Sequence, residues 1–170
     1  MIIDIGHRKK ELLILLLLFH FTVFFGYSIG FLNLFYSEHT TPNSLRVQIQ
    51  GMTDSEMEQA DEMVFGKSIK ELITTTHNHV LALSVIFLLV GGVGFLLHQR
   101  KWLFYLTIEL FVSLFMTFGS IWMIKAGLNI FSYVAMISGM LMHLSFILIL
   151  FSNGYGIIIL IKKASEKDLN

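Results

Sequence analysis

The chain has 170 residues, 55% of them hydrophobic and 14% charged, with a mean hydropathy of +0.71. Soluble domains carry about 25% charged residues, so this composition excludes an ordinary water-soluble globule. Twelve basic residues balance twelve acidic ones, which leaves no electrostatic footprint for nucleic acid; the absence of cysteine excludes disulfides, thiolate zinc sites, iron–sulfur clusters and covalently attached c-type haem.

Four stretches are long and apolar enough to cross about 30 Å of hydrocarbon, which takes roughly 20 helical residues. They are residues 12–35, 80–97, 102–124 and 130–161. Lipid cannot hydrogen-bond an exposed backbone, and these runs show no period-two alternation, so each is expected to be a helix. The basic start followed by leucines resembles a secretion signal. Its apolar run of about 24 residues exceeds the 7–15 of a cleaved signal, so a retained anchor is expected.

Eight of the twelve basic residues (Arg8, Lys9, Lys10, Arg100, Lys101, Lys162, Lys163 and Lys167) fall on one side of these spans. The positive-inside rule then puts both termini in the cytoplasm of an inner or plasma membrane. The tight turns at residues 99–101 and 125–129 make consecutive spans antiparallel neighbours. The expected fold is therefore all-α, a polytopic four-helix up-down bundle in one membrane domain covering residues 1–170. Its spans are about 12–35, 69–98 (with an interfacial extension), 102–124 and 130–161.

Residues 36–68 form the outer segment, which is expected to be short and helical. It is rich in acid, including Asp54, Glu56, Glu58, Asp61 and Glu62. A solvated face explains this composition, and a cation-attracting vestibule is the sharper alternative. Thr53–Glu56 fits a capping box, predicting a helix from after Thr53 to near Gly66. Ser68–Glu71 fits the same pattern, predicting a second helix that begins near Ile69 and runs unbroken into the bilayer.

Seven histidines are the main chemical resource. His20 and His143 lie inside apolar runs, as does the lone acid Glu109, and ionisable groups in a bilayer are functional candidates by default. Counting along the helices puts His20 roughly 15 Å from the inner boundary, Glu109 about 10 Å from it and His143 about 20 Å from the outer one. His77, Ser84, Gly91 and His98 recur every seven residues and predict a bundle-facing stripe, while His79 falls on a lipid-facing or interfacial side. Glu109, Ser113, Thr117 and Ser120 make a second polar stripe.

Several uses of these groups are open. A b-type haem needs imidazoles from facing helices, and His20 with His143 is a feasible pair, with His77 and His98 as further cofactor-binding candidates. A divalent metal site could draw on His39, His77 and His79, although residues two apart on a helix diverge. Proton handling would use Glu109. In the plainest use the histidines hydrogen-bond across helices in an accessory or scaffold subunit. The implied partners are the lipid bilayer and either a membrane complex or further copies of the chain. No hydrolytic triad, nucleotide loop or zinc-protease motif is present.

The stretch Lys67-Ser68-Ile69-Lys70-Glu71-Leu72 followed by Thr76-His77-Asn78-His79 resembles the start of the second span in an uncharacterised family of small bacterial inner-membrane proteins with four spans and a T-H-x-H feature. The run from Ile137 to Met142 is similar to that family's fourth span. This resemblance implies a topology and a location rather than a reaction. The overall plan is also similar to small b-type membrane cytochromes, which implies haem b by architecture alone.

Overall fold

The computed structural model describes residues 5–36, 41–98 and 101–167. Within them the protein is helical, and the one β feature is an isolated bridge between Gly51 and Phe65. Four long helices, α1 (Ile5–Tyr36), α4 (Ile69–His98), α5 (Lys101–Lys125) and α6 (Phe131–Lys167), are each long and apolar enough to cross a membrane. Two short ones, α2 (Pro42–Gln50) and α3 (Asp54–Met57), lie between the first and second spans. The chain is thus an all-α, multi-pass helical bundle.

Helix α4 starts at Ile69, as the Ser68–Glu71 box predicts: the Glu71 carboxylate accepts from the Ser68 amide at 2.7 Å, and the Ser68 hydroxyl accepts from the Glu71 amide at 3.2 Å. The helix expected from Thr53 to Gly66 is corrected to the single turn of α3, because pairing of Met52 with Val64 across the Gly51–Phe65 bridge draws the intervening chain into a loop. Sequence reasoning missed α2, which is capped by Thr41 and Ser44 with Pro42 in its first turn. Helix α6 runs without interruption through Phe131–Lys167.

After α5 the chain turns at Gly127, whose φ of 96° lies in the left-handed region. The Leu128 amide reaches the Met123 carbonyl and the Gly127 amide that of Ile124, the paired bonds of a Schellman turn. That turn lays α6 back against α5, and these two helices share the most extensive interface in the bundle.

The main core lies where α4, α5 and α6 meet, around Phe87, Val90, Leu110, Leu114, Phe146 and Ile149. Helix α1 adds only partly buried side chains to it, through Phe19, Val23 and Tyr27. It is the least enclosed span, with 6% of its apolar window buried against 39% for α6. A second, smaller core plugs the loop end of the bundle, joining Ile49 of α2 to Leu72, Ile124 and Ala135.

Aromatic residues mark the depth of the bilayer. Trp102 and Trp122 are 20 residues apart on α5, roughly 30 Å at 1.5 Å per residue, which is the thickness of the hydrocarbon. Tyr133 and Tyr155 are 22 residues apart on α6, roughly 33 Å, and both are exposed. The Thr117–Ser138 hydrogen bond at 2.8 Å fixes the register of α5 against α6. In that register Trp122 is level with Tyr133, and Trp102 lies near the level of Asn153. Belts of Trp and Tyr at two such levels are the usual signature of the two membrane interfaces.

Candidate functional site

The polar groups within the spans gather in separate places along the bundle. The most enclosed is a node joining three helices. His20 of α1 is 4% exposed and Asn153 of α6 is fully buried. The His20 Nδ1 lies 2.8 Å from the Leu16 carbonyl oxygen one turn back, so that nitrogen carries the proton and Nε2 is left as an acceptor. The Asn153 Nδ2 donates to His20 Nε2 at 3.2 Å and to the Val90 carbonyl of α4 at 2.8 Å, which uses both amide hydrogens. The Asn153 Oδ1 is buried without a hydrogen-bond partner and points at Gly94, where an added Cβ would lie 2.7 Å from it. Asn153 was not singled out as a site in the sequence; an amide inside an apolar run was the available signal.

His143 occupies a different level. Its Nδ1 bonds to the Gly139 carbonyl at 2.6 Å, and the ring packs against Tyr27 and Phe31 of α1 with centroids 5.5 and 6.0 Å away. The Tyr27 hydroxyl also donates to the His143 carbonyl at 3.4 Å. Ten residues of α6 separate His143 from Asn153, roughly 15 Å along the axis, so the structure does not bring His20 and His143 together. Two axial imidazoles must meet one iron atom from opposite faces, and these two do not fit that geometry. Through Asn153, His20 is level with Trp102, toward the end of the bundle that carries the termini.

Glu109 stays on its own helix. One carboxylate oxygen accepts from the Ser113 hydroxyl, while the other is buried without a hydrogen-bond partner. The predicted stripe is a seam of α5 against α6: Ser113 and Ser120 are buried, and Thr117 bonds to Ser138 across the interface. Small hydroxyl side chains let the two helices approach closely, as expected where lipid offers no hydrophobic drive between helices. No described contact joins Glu109 to a histidine.

The stripe from His77 to His98 enters the bundle only part-way down. Gly91 is buried against Thr107, whereas His77 is exposed: at its level the covered face of α4 carries Leu72, buried against Ile124 and Ala135, and Thr76, whose hydroxyl accepts from the Trp122 indole at 3.2 Å. His79 is also exposed; its Nδ1 bonds to the Thr75 carbonyl at 2.9 Å and its ring lies 5.8 Å from that of Phe118. His39 and the His98 side chain fall outside the described residues. Among the described residues no group of three or more histidine and acidic side chains gathers to hold a metal ion.

The loop end is closed by polar contacts from Lys125 at the end of α5, from Asn129 in the α5–α6 turn and from α2. The Lys125 ammonium donates to the Ile49 carbonyl at 3.2 Å and to that of Lys67 at 2.7 Å. The Gln50 amide donates to the Ile124 carbonyl at 2.6 Å and to Asn129 at 2.8 Å. Arg46 pairs with Glu56, linking α2 to α3. The Glu56 carboxyl is held below the usual carboxylate range, first by the Thr53 amide that donates to it at 2.8 Å, then by the Thr53 hydroxyl, with Arg46 adding a smaller pull.

A bundle of four helices long and apolar enough to cross a membrane agrees with the one comparison that gives a match. The family model Aq_1264_TM, described as a transmembrane helical domain, matches residues 39–166. The chain belongs to this family. The Aq_1264_TM match takes in α2 to α6, the plug at the loop end and Asn153, and it leaves α1 outside. No curated protein and no solved structure matches the chain.

Proposed function

We propose that this small integral membrane protein is a non-catalytic accessory subunit of a larger membrane complex in the bacterial inner membrane, with both termini in the cytoplasm and the α2–α3 cap outside. The observation that carries this reading is the use made of His20. The most buried imidazole of the described residues has its Nδ1 on a carbonyl and its Nε2 on an amide, so its bonding capacity goes into helix assembly. The orientation rests on the basic residues, which cluster at the end where α1 begins and α6 finishes. The partner rests on α1, whose exposed Leu15, Leu18, Phe21 and Phe25 form an apolar flank available within the membrane.

A second reading, a b-haem redox subunit, draws on His143. Its Nδ1 bond to Gly139 leaves Nε2 as the lone-pair nitrogen, the tautomer that ligating histidines adopt. Purification of the full chain from native membranes in a mild detergent, followed by native mass spectrometry, separates the two. A defined assembly with a stoichiometric second polypeptide and no chromophore supports the accessory role. A chain that carries haem and no partner overturns it.

A further inference from the structure

We infer that the His20–Asn153–Val90 node is a proton-sensitive latch that holds α1 against the α4–α6 groove. This inference is independent of the partner or cofactor considered above, since it concerns only how α1 is retained.

Geometry makes the node a donor–acceptor lock with a single solution. Neutral His20 offers one lone pair at Nε2, and the Asn153 amide spends one hydrogen on it and the other on the Val90 carbonyl. A second proton on the imidazole turns Nε2 into a donor facing another donor. Rotating the amide lets Oδ1 accept from the protonated ring only by turning that same oxygen against the Val90 carbonyl, acceptor against acceptor, so the three-helix node is broken in either orientation. Among the described residues no charge nearby offsets the change: the ring's partners are the Leu16 carbonyl, the Asn153 amide and the edge of Phe19, and the titratable groups described on the same helix, Lys10 and Glu11, lie more than two turns away. Neither α6 nor α4 presents a titratable group in any described contact with the ring.

The rest of α1 is weakly held. It is the least buried span, and its other interhelical hydrogen bond described, from Tyr27 to His143, is long at 3.4 Å. The node also lies level with Trp102, near the ends of α4 and α5. The family match begins after α1, consistent with a unit made of α2 to α6 to which α1 is added.

Because the chain has no cysteine, spin labels can be placed cleanly. Phe24 and Phe151 meet edge to face across α1 and α6 with ring centroids 5.8 Å apart, and both reach the bundle surface. Labels at F24C and F151C in the full chain, in phosphatidylcholine nanodiscs, should show strong dipolar broadening at pH 7.5. Most of that broadening should be lost at pH 4.5 and return on neutralisation. In the His20→Gln background the amide oxygen still accepts from Asn153 at every pH, so broadening should persist at pH 4.5. Asn153→Ala, which removes the donor, should give a weaker signal that no longer responds to pH. Broadening that is unchanged at pH 4.5 in the parent, or lost equally in His20→Gln, overturns the latch.

Discussion

Alanine at Gly91 and at Gly92 should have opposite effects, although the two residues are neighbours in one helix. At Gly91 an added Cβ would stand 2.3 Å from Thr107 Cγ2 and 2.5 Å from its Oγ1. That is roughly 1 Å short of ordinary contact, and Thr107 cannot swing aside easily: it is β-branched, and its hydroxyl is bonded to the Leu103 carbonyl at 2.8 Å. Relief therefore requires α4 and α5 to separate, an overpacking cost of about 1–3 kcal/mol. At Gly92 nothing lies within 4 Å of the added Cβ. Replacing glycine by alanine inside a helix gains up to about 1 kcal/mol where no clash occurs. The two variants should thus differ by about 2–3 kcal/mol, well over tenfold in the unfolding constant. Titration of the detergent-solubilised protein with dodecyl sulfate, followed by circular dichroism and tryptophan emission, reads the difference. Equal midpoints for the two variants would refute the close approach of α4 to α5 at Gly91.

The remaining predictions concern the polar contacts. A double-mutant cycle of His20→Ala with Asn153→Ala at neutral pH should return a coupling of about 0.6–1.7 kcal/mol, the range for interhelical hydrogen bonds in membranes; additive single effects would deny the contact. Since the carboxyl of Glu56 sits lower in the folded state than in the unfolded one, its contribution to α3 is complete above the usual carboxylate range and is lost as pH falls through the depressed value. Amide exchange protection at Met57 should therefore weaken on acidification in the parent and be insensitive to pH in Glu56→Gln. Lys125→Met should leave the Ile49 and Lys67 carbonyls without their cationic donor, at about 1.5–3 kcal/mol. Faster exchange at Gly51 and Lys67 with unchanged exchange in the middle of α5 is the expected pattern, and uniform loosening would contradict it.

How much of this arrangement could be read from the residues depended on the range of the interactions. The spans were legible because 20 or more apolar residues in a row have few other uses, and the start of α4 was legible because Ser68 and Glu71 satisfy each other within one turn. The stripe Glu109–Ser113–Thr117–Ser120 likewise revealed the face that meets α6, since helical spacing alone defines a face. Seven-residue spacing drifts around a helix of about 3.6 residues per turn, and so His77 falls on the same predicted stripe as Gly91 although Leu72 and Thr76 take the covered face at its level. The node was the least legible part. His20 and Asn153 are 133 positions apart, and nothing local to either residue names the other.

The account rests on the claim that the polar side chains of the spans hold helices together and do not carry a cofactor. Its most direct test is a reduced-minus-oxidised absorption spectrum of the purified full chain, taken with and without added haemin. The account predicts no Soret or α band at stoichiometric amplitude in either sample. One b-haem per chain, abolished by His143→Ala, would contradict it.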